Sequence, residues 1–242
     1  MTNPVIRSIL DEEVVLNINI IDHEARVIGH LRPITKTASS DGELIQKLTD
    51  WRNRFRGRFF TQFTGTFERT RSWLRDVVLA DDTRLLFMIN SNDKLMGHIG
   101  FKDLGLHGRS AELDNLIRGE MEGHRQLTYY AEVALIHWMF KTLEIDLIYA
   151  CPLADNSLVL KLHYAVGFEP TATFPLFRVE QAGEIRLEMG EPGSLSPYGL
   201  YARRIDLSAD RFKTLRAEDG NGTQSNGGGP NHQRCSASLT RS

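Results

Sequence analysis

The chain has 242 residues, 41% hydrophobic and 25% charged, with a formal net charge of −2. That suffices for one domain with a real core, or at most two small ones, and the near-neutral balance argues against a general nucleic-acid binder while leaving room for a local basic patch. No apolar run approaches the roughly 20 residues needed to cross a bilayer, so no membrane partner is expected.

Residues 1–12 lack the basic start and apolar stretch of a secretory leader. Of the two cysteines, Cys151 falls in an expected buried strand and Cys235 in a polar tail. They make poor disulfide partners, which fits a reducing cytoplasm.

In chain order, residues 14–21 and 26–31 read as opening strands. Ser40-Asp41-Gly42-Glu43 has capping-box spacing with Ser40 as N-cap. Leu44, Ile45, Leu48 and Trp51 follow at helical intervals. A second helix is expected from Thr66, burying Phe67, Leu74, Val77 and Val78. Residues 85–90 form an apolar run suited to a central strand, and Ser91-Asn92-Asp93-Lys94 turns the chain into a hairpin partner at 95–101. Residues 111–117 are the next strand. The clearest helix is 128–143, with Tyr129, Val133, Ile136, Phe140 and Leu143 on one stripe. A strand at 146–151 and a short helix at 157–166 follow, stopped by Gly167. Runs at 172–180 and 184–189 flank Gln181-Ala182-Gly183 as a closing hairpin. The pattern predicts a mixed sheet with helices on both faces.

The loop between residues 118 and 127 leads into the long helix. Free backbone N–H groups at a helix N-terminus suit a pyrophosphate, with Gly123 for close approach and Arg125 as charge partner. An ordinary charged surface loop is the plain alternative. On the strand at 111–117, Glu112 and Asp114 share one face and Asn115 points oppositely. A carboxylate there could take the proton that an attacking amine must lose, or simply pair with an arginine. His98, on the preceding strand, is a further candidate, although a satisfied core histidine is the commoner case. The stretch Trp51-Arg52-Asn53-Arg54-Phe55-Arg56-Gly57-Arg58-Phe59-Phe60 mixes guanidinium groups with aromatic rings, which a nucleotide-bearing acceptor would use. RNA would use both too, although the rest of the chain is not basic, and a solvated charged helix end with buried Phe residues is the plain alternative.

Ile99-Gly100-Phe101, the strand 111–117, the helix carrying Trp138-Met139-Phe140, and Asn156-Ser157 through Gly167-Phe168 together resemble the GNAT superfamily of acyl-CoA-dependent N-acyltransferases, over roughly residues 51–170. Leu48-Thr49-Asp50-Trp51-Arg52-Asn53 and residues 66–74 are most similar to two branches, one acting on ribosomal-protein N-termini and one on nucleotide-linked amino sugars. The resemblance implies an α/β fold of α+β type: a mixed, mostly antiparallel central sheet flanked by helices on both faces. It implies one acetyltransferase domain over residues 1–215, and the Gly-, Ser-, Asn- and Gln-rich composition beyond predicts a disordered polar tail over 216–242.

It also implies acetyl-CoA as co-substrate, no metal, and direct attack without a covalent enzyme intermediate. Leu116, Ile117, Arg118, Gly123, His124, Arg125, Gln126, Leu127, Thr128 and Asn156 would hold the cofactor. Asn156 could equally be a plain N-cap. The loop departs from the family pattern, because the second tight glycine is missing and the chain reads Gly123-His124-Arg125-Gln126. A backbone N–H near Leu116 would polarise the thioester, and Glu112 would deprotonate the amine. His163 stands where the family commonly has a tyrosine and would protonate the thiolate, with Tyr164 as the alternative. Trp51, Arg52, Asn53, Asp114, Asn115 and His98 would meet the acceptor. The expected acceptor is a nucleotide-linked amino sugar of surface-polysaccharide synthesis. A protein N-terminus is the alternative acceptor, and a non-catalytic acyl-CoA-binding module the alternative role. A homodimer is conceivable through the late strands.

Overall fold

The computed structural model describes residues 3–222, with side chains to residue 218. In chain order the elements are α1 (Pro4–Leu10), β1 (Ile18–Ile21), β2 (Val27–Pro33), α2 (Gly42–Arg54), β3 (Thr61–Gln62) and α3 (Phe67–Trp73), which runs into a π turn at Leu74–Val78. Then come β4 (Leu85–Ser91), β5 (Lys94–Lys102), β6 (Ser110–Arg118), α4 (Leu127–Thr142), β7 (Leu147–Ala150) and α5 (Ser157–Val166). The chain continues through β8 (Glu169–Gln181), β9 (Glu184–Met189), β10 (Tyr201–Ser208) and α6 (Ala209–Gly222). α6 enters the stretch read as tail, and residues 223–242 lie outside the described residues.

The strands form one sheet in the order β1-β2-β4-β5-β6-β7-β10-β8-β9-β3. Every pairing is antiparallel except β6 with β7. One core packs α1, α4, α5 and α6 against one face through Ile6, Leu135, Met139, Leu160 and Phe212. A second core sets α2 and the π turn on the other face, around Trp51, Leu74 and Met88. Among the described residues no helix is long and apolar enough to cross a membrane.

Several local expectations change. Asp41, not Ser40, caps α2: its Oδ1 accepts from the N–H groups of Glu43 and Leu44 at 2.8 and 3.3 Å, while Ser40 belongs to a preceding 3-10 turn. A carboxylate at that position also complements the helix dipole. Val77 is exposed, because the π turn rotates it away from Leu74 and Val78. The buried face of α4 is Leu127, Ala131, Glu132, Leu135, Ile136 and Met139, whereas Tyr129, Val133 and Phe140 flank it half-buried. The late hairpin does not close the sheet. β10 inserts between β7 and β8, pairing Ile205 with Ala150 on one side and Tyr201 with Pro175 on the other.

Candidate active site

β6 leaves its parallel neighbour partway along. Ser110, Ala111 and Glu112 pair with Leu147, Ile148 and Tyr149 of β7, and from Leu113 onward that ladder ends. Against β5, the register passes from His98 opposite Ile117 to Gly100 opposite Asp114, so Asn115 and Leu116 together face Ile99. This is a β-bulge, and Asn115 takes the left-handed φ of +53° it requires, a conformation asparagine tolerates better than most residues. The Asn115 carbonyl turns out of the ladder and accepts from His98 Nδ1–H at 2.6 Å. In a trans peptide the next N–H points the opposite way, so the Leu116 amide is directed away from His98. Burial pushes the His98 imidazole down to about 4, helped by Arg52 and opposed by the Asn115 carbonyl. His98 is therefore neutral at physiological pH.

Beyond Arg118 the chain crosses to α4. Gly119 and Glu120 both donate their N–H groups to Met96 O at 2.9 Å, and Gly123 reverses the chain at φ +77°. Arg118 donates to five loop carbonyls, those of residues 120, 121, 122, 124 and 125, at 2.9 to 3.3 Å. α4 starts after Gln126 without a side-chain cap. The loop borders an open cavity of about 1260 Å³, whose wall includes Leu116, Arg118, Gly123, Arg125, Gln126 and Thr128. Val133 of α4 and Leu158, Val159 and Leu162 of α5 supply its apolar side. Uncapped amides at one end and an apolar channel toward β6 fit a diphosphate joined to a pantetheine arm. Of the remaining expected cofactor residues, Ile117 packs into the core of the opposite face and Leu127 is 1% exposed. His124 turns toward Asp22, 3.9 Å away, and rests against Tyr130. Asn156 occupies the N-cap position of α5 but makes no side-chain capping hydrogen bond.

Residues 30–169 match the family model described as "Acetyltransferase (GNAT) domain". The chain belongs to the GNAT family. It is an acyl-CoA-dependent N-acetyltransferase, with acetyl-CoA as co-substrate. Among solved structures it is similar to spermidine N-acetyltransferase from Vibrio cholerae in complex with CoA and spermine (13% identity, TM-score 0.57, covering 76% of this chain and 96% of that one). It is also similar to a GCN5-related N-acetyltransferase from Brucella melitensis (13% identity, TM-score 0.61, covering 86% and 85%). These likenesses establish the fold. No curated protein sequence matches.

In this GNAT chain His163 lies behind the cavity wall, 3% exposed, with Nδ1 2.7 Å from Glu132 Oε1. Glu132 is fully buried and its Oε2 has no partner among the described residues. A carboxylate held against Nδ1 fixes the ring's tautomer and leaves Nε2 as the nitrogen able to exchange a proton. Val159 and Leu162, close neighbours on the same helix, do line the cavity. Tyr164 is 37% exposed, on the side of α5 away from Leu158, Leu162 and Ala165. Sequence reasoning missed Glu132. Its signal was a lone carboxylate at a buried-face position of an otherwise apolar helix.

The opposite face of the sheet carries the expected acceptor residues. Burial pushes Glu112 up to about 7, against the pull of Lys102 3.4 Å away and with the push of Asp114. Asp114 accepts from Asn115 Nδ2 at 2.7 Å. Arg52 stacks over Phe59 and Phe63, at 3.5 and 4.8 Å, and donates to Thr61 O at 2.5 Å. Arg69 stacks over Phe63 at 3.4 Å and pairs with Glu184. Burial first, then the Arg69 charge, push Arg52 down to about 10, against the pull of Asp114.

Trp51 and Asn53 serve as scaffold. Trp51 is 1% exposed, bonded to Glu120 through Nε1 at 3.1 Å, and packed so closely under Gly119 that a Cβ there would lie 2.0 Å from its ring. Asn53 spends its amide on both backbone groups of Gly65, at 2.7 and 3.0 Å. Arg54 donates to Gly119 O at 2.6 Å. Among the described residues no cluster of His, Cys, Asp and Glu could hold a metal.

Proposed function

We propose that this enzyme acetylates the primary amine of a nucleotide-linked amino sugar, the acceptor class used in surface-polysaccharide synthesis. The observation that carries the reading is the Arg52–Phe63–Arg69 stack beside Asp114, on the face opposite the cavity. Two guanidinium groups held close enough to repel, each against an aromatic ring, favour an acceptor bearing negative charge and a planar base. A polycationic acceptor would meet this pair with repulsion.

The chemistry follows from the strand separation. The Leu116 N–H, aimed away from His98, is the donor for the developing oxyanion. Glu112, with its carboxyl held near neutrality, takes the amine proton directly or through water, so that the nitrogen lone pair is free to attack. His163, held by Glu132 through Nδ1, is the proton donor for the departing thiolate in its imidazolium form, giving up the Nε2 proton and returning to the neutral ring. The amide C–N bond forms as the thioester C–S bond breaks, and the proton lost by nitrogen balances the one gained by sulfur. Holding both reactants across the opening can supply about 7–11 kcal/mol of barrier reduction, so a weak acid-base pair suffices.

The test is release of free CoA thiol from acetyl-CoA against a panel of amines. The reading predicts a kcat/KM for nucleoside-diphosphate amino sugars at least about tenfold above that for the free amino sugars, a difference of about 1.4 kcal/mol. Spermidine or a peptide amine outperforming every nucleotide sugar overturns it.

A further inference from the structure

The loop departs from its family's pattern by lacking a second glycine, and the structure offers a physical substitute. Between residues 119 and 125, six carbonyls are taken up by two arginines. Arg54 Nη1 donates to Gly119 O at 2.6 Å. Arg118 donates from Nε to Glu120 O at 3.1 Å and from Nη1 to Arg125 O at 2.9 Å. Its Nη2 is shared among Met121 O, Glu122 O and His124 O at 3.1 to 3.3 Å. Each trans peptide that turns its carbonyl toward a guanidinium turns its N–H away from it. The N–H groups of Met121, Glu122, Gly123 and Arg125 have no acceptor among the described residues. The loop's two carboxylates are drawn off as well, Glu120 to Trp51 and Lys47, Glu122 to Lys94. The result is a run of loop amides left without acceptors, the kind of N–H cluster that binds phosphate oxygens.

We propose that Arg118 is a positioning residue for the diphosphate of the acyl carrier. It gathers the loop carbonyls on one guanidinium, and so fixes the orientation of amides that a glycine-rich sequence would present by conformational freedom alone. A lysine cannot replace it, because an ammonium has three donors at a single point, whereas the guanidinium spreads five across a plane. The proposal rests on the loop being the carrier's diphosphate site.

Calorimetry with CoA and with pantetheine, which lacks the diphosphate, separates the two ideas without needing an acceptor. The wild-type protein should bind CoA well above pantetheine. Arg118→Met should cut that preference about tenfold or more, which is about 1.4 kcal/mol. Arg118→Lys should resemble the methionine variant, and low concentrations of guanidinium should restore CoA binding to Arg118→Gly. A purely structural role would lower the melting temperature and leave the CoA-to-pantetheine ratio unchanged, and that outcome overturns the proposal. Equal wild-type affinity for the two ligands would instead overturn the assignment of the loop itself. Should Arg118→Met not fold, the lysine variant carries the same comparison.

Discussion

Glu112 shows how one residue's environment decides its chemistry. A carboxylate in water is fully ionised at pH 7, but burial holds this one near 7 in spite of Lys102. A base must be deprotonated to act, so kcat/KM should fall as pH drops through about 7. Glu112→Gln should abolish that limb and lower kcat by roughly 10²–10⁴, measured by thiol release across pH 5.5–8.5 with the best acceptor. An unchanged profile would move the base elsewhere. Spacing alone placed Glu112 and Asp114 on one face of their strand, because side-chain alternation is a local property. It could not rank them, since desolvation depends on what packs above. The same holds for His98: its strand was legible, while its bond to the Asn115 carbonyl depends on the bulge. Glu132 escaped notice because its partner, His163, is on another helix.

At the level of elements, the helices were legible wherever caps and period agreed. Thr66 caps α3 through Arg69 N–H, and Gly167 ends α5 at φ +124°, both as the composition predicts. The cap of α2 slipped by one residue because Ser40 and Asp41 both qualify, and only the backbone path into the helix chooses between them. The Arg-aromatic stretch after Trp51 was read as one binding surface. The structure divides it, since α2 turns Trp51 inward under Gly119, ties Asn53 to Gly65, and leaves Arg52 stacked on Phe59 and Phe63. Gly119 is the tightest of these junctions. Gly119→Ala should destabilise the protein by roughly 1–3 kcal/mol through forced displacement of the Trp51 ring, read as a lower urea midpoint at unchanged m-value. Because the displaced ring also carries the Glu120 contact, CoA affinity should weaken in the same variant. Wild-type stability in Gly119→Ala would mean that the ring moves freely.

For the molecule as a whole, the cavity joins β6, α4 and α5 across separated stretches of chain, so its occupation should report on the entire fold. A ligand that binds only the native state at 100 times its dissociation constant adds about 2.7 kcal/mol, which corresponds to a rise in melting temperature of roughly 5–10 °C. CoA should produce such a shift in a thermal melt, and adenosine should not. A CoA melt superimposable on the ligand-free curve would contradict the site.

By itself, the sequence determined what is encoded within a few residues: the alternation of β4 to β6, the long helix after a polar loop, the Gly167 stop, and the N–H-rich segment between strand and helix. These follow from side-chain period, capping and turn chemistry, which act locally. The tertiary structure alone decided the insertion of β10 beside β7, the bulge that turns the Leu116 amide away from His98, and the arginines that collect the loop carbonyls. It also decided the pairing of Glu132 with His163. Each of these joins groups distant in sequence, and their energies arise only once the sheet has assembled and excluded water from between them.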